Sequence, residues 1–223
     1  FECGNSWAAN FVTDDVKVNT VKDAGGNTLW VSDGSGSLSS VSGFGDALNL
    51  LSTQTASDSA SLSFTSGIDS TYKEYVFKFI NIHPETDNKI FQFQADTGTN
   101  TSYNQTVTTT SFRTYNDEGD TETSLGYVGS QDQAQGTSFE FLAGGIGADN
   151  DQCGVGTLHL FNPSSTTFVK HFFAVTHISE ASNYTENRFQ AGYINTTTAI
   201  TRVQFKMSSG DIDSGVIKLY GIS

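Results

Sequence analysis

From residue 62 to the end, the chain is a succession of short segments in which bulky apolar residues alternate with polar ones, separated by Gly, Asn, Asp and Ser. A period of two sends successive side chains to opposite faces, so such segments form half-buried β-strands. In residues 72–82 (YKEYVFKFINI), Tyr75, Phe77 and Phe79 share one face while Val76, Lys78 and Ile80 take the other. Within 157–161, Leu158 and Leu160 oppose His159, and in 201–208 Val203, Phe205 and Met207 lie together. Further strands are expected at 61–65, 89–95, 106–115, 167–178, 186–194 and 214–221. About nine strands at these spacings define an all-β fold, an antiparallel β-sandwich of jelly-roll type. No long segment carries the 3.6-residue apolar period of a helix.

The first quarter of the chain differs in character. Residues 1–55 are polar and rich in Gly and Ser, with strand candidates at 16–21 and 28–32 flanking the turn Asp23-Ala24-Gly25-Gly26-Asn27. Glycine supplies the positive φ that such a hairpin needs. Residues 33–37 (DGSGS) read as a second turn or link, and 46–51 (DALNLL) as one helical turn. The expected division is an N-terminal anchoring arm with a β-hairpin over 1–55 and a sandwich over 56–223. Residues 116–150 form an irregular stretch between strands, of the kind that more often carries function or an interface than core. Within it, 138–146 (SFEFLAGGI) is expected as a helical turn or an irregular strand. A chain that begins at Phe1 rather than Met implies processing, truncation or a further upstream segment.

Charge narrows the partners. The net charge is −13 with a pI near 4.4, and the eleven basic residues are scattered singly. A nucleic-acid binder needs a phosphate-neutralising stripe, which this pattern does not supply. Anionic lipid is disfavoured for the same reason, and no run approaches the ~18–20 apolar residues of a membrane-spanning helix. Seventeen Phe and eight Tyr provide core volume without a metal or disulfide. The only two cysteines, Cys3 and Cys153, are a candidate bridge that the sequence leaves open.

Candidate chemistry is sparse. His83, His159, His171 and His177 show no metal-ligand spacing; His171 and His177 share a strand face but stand ~20 Å apart at ~3.3 Å per residue. No G-x-S-x-G elbow occurs. Acids in 117–122 set against Asp149 or Asp151 are the one conceivable carboxylate pair for glycosidic cleavage. Asp117, Asp120, Asp149 and Asp151 concentrate hard oxygen ligands in loops and are the calcium candidates, outside any EF-hand spacing. Tyr103, Tyr115, Tyr127 and Tyr184, in or beside loops, are the candidates for stacking on sugar rings.

Three segments carry a resemblance: 63–84 (SFTSGIDSTYKEYVFKFINIHP), 156–171 (GTLHLFNPSSTTFVKH), and the ending from 205, with KMSSG and then GVIKLYGIS. They resemble virion structural proteins of tailed phages of marine bacteria, and 16–35 (VKVNTVKDAGGNTLWVSDGS) is similar to leaders that precede such domains. The resemblance implies a non-enzymatic component on the particle exterior, a tail-fibre, tail-spike or capsid-decoration protein. Its partners would be other virion proteins and copies of itself, a trimer in preference, with neither nucleic acid nor membrane insertion. It carries no established functional residue across. The alternative reading is a carbohydrate-binding adhesin that takes a host-surface glycan; a glycan depolymerase is the third.

Overall fold

The computed structural model describes residues 19–32, 34–35, 38–39 and 47–223. Cys3, Trp7 and the first residues of the 16–21 strand lie outside them. The chain divides into two compact units, residues 1–46 and 47–223.

In the first unit, β1 (Thr20–Lys22), β2 (Thr28–Ser32) and β3 (Leu38–Ser39) form a three-stranded antiparallel sheet in that order. The expected hairpin turn is present. Asp23 Oδ1 accepts the Gly25 and Asn27 amides at 2.9 and 2.8 Å, and Gly26 takes φ +84°.

The second unit opens with β4 (Leu48–Ser59), β5 (Leu62–Phe64), β6 (Glu74–Pro84), β7 (Lys89–Thr97) and β8 (Val107–Asp117). It continues through β9 (Thr123–Tyr127), β10 (Ala134–Gly136), β11 (Glu140–Ile146) and β12 (Gly154–Phe161). It ends with β13 (Lys170–Ser179), β14 (Tyr184–Ile194), β15 (Ile200–Met207) and β16 (Ile212–Ile222). One sheet has nine strands in the order β10-β8-β14-β13-β12-β6-β16-β4, with β9 also paired to β8. The other has four, β11-β7-β15-β5. Every pairing is antiparallel, and the described residues contain no helix. The chain alternates between the sheets from β4 to β8, whereas β12, β13 and β14 form a meander within the larger one.

Phe205 is the centre of the packing between the layers. On β15 of the smaller sheet, its ring meets Phe77 and Phe79 of the larger sheet edge-on at 5.1 and 5.3 Å. From its own sheet it meets Phe64 at 6.1 Å and stacks on Phe91 at 5.8 Å. Tyr75, Phe77 and Phe79 are buried as the alternation requires. Val76 is buried too, although it lies on the opposite face.

Three expectations are corrected. Of residues 46–51, Asp46 lies outside the described residues, and the rest do not form a helical turn: Leu48 onward is strand, paired with β16 along its length. The sandwich therefore takes in residues assigned to the arm, and the unit boundary falls at 46/47 rather than 55/56. The stretch 116–150 holds three strands. Of these β11 is buried at every position, bent by register shifts on either side of Ala143 and by Gly145 at φ +79°.

Phe205→Ala should cost about 3–5 kcal/mol by deleting the ring shared by both layers. Phe168→Ala, at a residue 68% exposed, should change stability by less than about 0.5 kcal/mol. Urea unfolding of both variants checks the contrast.

Candidate functional site

The proposed calcium ligands are consumed by turns or separated by strands. Asp117 Oδ1 accepts the Thr121 and Glu122 amides, both at 2.7 Å, and Oδ2 accepts the Thr121 hydroxyl at 2.6 Å. These bonds, the Thr121 side chain foremost, hold its carboxyl below the usual range. Asp120 sits in the same turn at φ +53°. Asp149 and the exposed Asp151 lie in the turn between β11 and β12. In sheet order that turn is three strand spacings from β8, roughly 14 Å at ~4.8 Å each. The two acid groups thus form neither one calcium site nor one glycosidase pair. Among the described residues, no three His, Cys, Asp or Glu side chains gather to hold a metal.

The histidines take separate structural roles. His83 Nδ1 lies 2.9 Å from Asp213 Oδ2, and His159 Nδ1 lies 2.6 Å from Glu74 Oε1. His177 Nε2 stands 2.7 Å from the Thr185 hydroxyl, an imidazole–hydroxyl pair on an open strand face. His171 packs against the Tyr193 ring. Cys153 is half-buried with Sγ 3.9 Å from Asn81 Oδ1.

The tyrosines divide in three. Tyr103 is buried at φ +46°, its amide donating to Asp96 Oδ2, so it presents no ring to a ligand. Tyr127 is exposed, and its hydroxyl donates to Asp132. Tyr115 and Tyr184 come together edge-to-face at 5.3 Å and 87°. With Arg113, Glu180, Ser182 and Glu186 they line a cavity of about 220 Å³ on the inward side of β8 and β14.

Behind this cavity lies a buried ionic network that the sequence did not disclose. Glu186 Oε1 accepts Arg188 Nε and Nη2 at 3.1 and 2.7 Å, and Oε2 accepts Arg113 Nη1 at 2.5 Å. Arg188, 1% exposed, also donates to Ser111 and Gln131 and lies 4.3 Å from the Phe141 ring centre. Each charged group thus has a hydrogen-bonded partner, one carboxylate bridging two guanidinium groups, as burial in low dielectric demands. Both oxygens of Glu186 are occupied by guanidinium groups, which leaves Glu180 as the less engaged carboxylate of the cavity. Burial, then the Glu186 charge, pushes the Glu180 carboxyl up. One layer deeper, Glu140 is fully buried and accepts amide protons from Gln190 and from Gln133, the latter at 2.7 Å. Burial outweighs these bonds and pushes its carboxyl up to about 7. The only advance signal was the mixing of Glu, Arg and Gln into the inward register of 186–190, which reads as ordinary polar decoration without the pairing.

The second feature is a surface. Over β9, β8, β14, β13 and β12 the register runs without a shift. Tyr127, Phe112, Phe189, Val175 and Thr157 therefore form one cross-strand row on the outward face, and Thr110, Ala191, Phe173 and His159 the next. None of the outward positions of these five strands is Asp, Glu, Lys or Arg. The rings stand against one another, Phe112 on Phe189 at 4.7 Å and 10°, His159 on Phe173 at 4.6 Å and 15°. Sequence reading assigned apolar alternation to the core and so did not anticipate aromatic residues on this side.

No protein-family model, curated protein or solved structure matches the chain.

Glu186→Ala should destabilise by about 3–5 kcal/mol, because it strands the Arg188 charge in the interior; thermal unfolding reads it. Glu140 gives a pH dependence of defined sign. Its folded pKa of about 7 lies above the ordinary glutamate value of 4.5, so the native state holds the proton that the unfolded state releases. The contribution is full below pH ~4.5 and is lost as pH rises to ~7, on the order of 3 kcal/mol across the window. Urea titrations should show that slope in the wild type and its loss in Glu140→Gln.

Proposed function

We propose that the chain is a non-enzymatic structural component of a bacteriophage virion, exposed on the particle exterior as a tail-fibre, tail-spike or capsid-decoration protein. The N-terminal unit would act as the anchor and the sandwich, of jelly-roll type elaborated by the β12–β14 meander, as the outward body. The observation that carries this reading is the uncharged aromatic face in a chain of net charge −13. Exposed rings clustered on a sheet without charged neighbours suit a place where protein packs on protein. The cross-layer ring packing and the satisfied ionic network suit a body that has to persist outside a cell. The resemblance of 63–84, 156–171 and the C-terminal segment supplies the kind of assembly.

Immunogold labelling with antibody to the full chain tests it. Label on intact tailed particles, lost when residues 1–46 are deleted, is the expected result. Unlabelled particles, or normal incorporation of the deleted form, would overturn it.

A second reading is favoured by the cavity beside Tyr115 and Tyr184, whose carboxylates, hydroxyls and guanidinium could hydrogen-bond a single sugar unit. Under it the protein is a carbohydrate-binding adhesin. A glycan array that is blank for both wild type and Tyr115→Ala removes this alternative; binding lost in the variant supports it.

A further inference from the structure

We propose that the outward face of β9-β8-β14-β13-β12 docks onto the same face of a second copy of this chain, forming a two-fold dimer. The proposal deepens the structural reading above and rests on it for the expectation that this face is covered by protein.

Charge identifies the occupant. A partner chosen by electrostatic steering would be recognised through ionic groups, and the face has none. Two copies that each carry −13 repel unless they meet where carboxylates are absent. The acids stand at its ends or outside it: Asp117 and Asp120 of the β8–β9 turn line a pocket with His177 and Thr185 at one end of the face, Asp149 and Asp151 precede β12, and Asp211 and Asp213 lie at β16. Ionic groups begin at the rim, with Asp132 beside Tyr127, Glu74 beside His159, and Lys78 opposite Thr157 on β6. This face is therefore where one copy can approach another without burying an unpaired charge.

Shape points the same way. Phe112 and Phe173 are 43% and 40% exposed, and one face of each ring is covered, by Phe189 and by His159. Beside Phe112 on the same strand stand the smaller Thr110 and Thr114, both exposed. A protein sheet accepts such rings as ridges between its own small side chains. The surface offers both ridge and furrow, so it complements itself.

Area is sufficient. Five strands at ~4.8 Å and about eight residues at ~3.3 Å give roughly 600 Å² per copy, about 1,200 Å² for the pair. That reaches the lower bound of standard stable interfaces, about 1,200–2,000 Å². A patch that meets itself closes at two copies, so this contact does not generate the trimer that the phage resemblance implies.

Sedimentation velocity on the full chain across ~1–100 µM is the test, a range spanning the affinities expected for an interface of this size. Wild type should run as a concentration-dependent dimer. Phe112→Glu and Phe173→Glu, each placing a carboxylate in the face, should weaken the dimer at least tenfold while leaving the melting curve unchanged. Gln92→Glu adds the same charge on β7, outside this sheet, and should remain dimeric; this separates the face from net charge. A monomer throughout the range, a trimer, or a dimer indifferent to both face variants would overturn the proposal. A monomer that still labels particles sinks the dimer alone, and a dimer that labels none sinks the virion reading alone.

Discussion

The rings gathered around Phe205 hold together two sheets of unequal width, and much else follows from that mismatch. Four strands cannot cover nine. Where the smaller sheet overlies β6 and its neighbours, phenylalanines fill the space. Toward β8 the cover is different: residues 131–138 supply Gln131, Gln133 and the Ser138 carbonyl to Arg188, Gln190, Glu140 and Gln94. An apolar layer gives way to a hydrogen-bonded one, and the cavity beside Tyr115 and Tyr184 lies where even that layer stops.

This arrangement accounts for the concentration of buried polar groups along one flank. Arg113 and Arg188 face each other across β8 and β14, an unfavourable pairing of like charges unless an anion bridges them. Glu186 does so. The flank is held by matched polar contacts whose loss leaves stranded charge, while the Phe205 side is held by non-directional packing that tolerates more. Local opening is thus expected to start from the β8 side.

How much was legible in the sequence depended on whether burial alternated. Tyr75, Phe77 and Phe79 declared their inward face because polar residues separate them. β4 did not declare itself: its sequence LNLLSTQTASDS holds one fully buried residue, Ala56, and the strand is fixed by backbone pairing to β16, which leaves no periodic trace. For β11 the sequence left a helical turn and an irregular strand open, and the irregular strand is the one formed; it lacks alternation because it is buried on both faces, and its glycines make room, since a Cβ at Gly144 would fall within 2.1 Å of the Phe141 ring. The candidate site was half legible. Tyr115 and Tyr184 were named separately, and only the β8–β14 register brings them together. Of the calcium candidates, Asp117 turns its carboxylate to the Thr121 hydroxyl and two backbone amides, a use that composition does not reveal. The outward rings were hidden because β13 sets Phe172 and Phe173 side by side, and composition cannot say which one faces water.

Under the proposed dimer, the uncharged aromatic face is the surface that a second copy covers. Hydroxyl-radical footprinting of the full chain, dilute and concentrated, reads that face directly. The expected result is that oxidation of Phe112, Phe173 and Tyr127 falls on concentration while that of Phe168 stays constant. Equal oxidation of all four at both concentrations would contradict it.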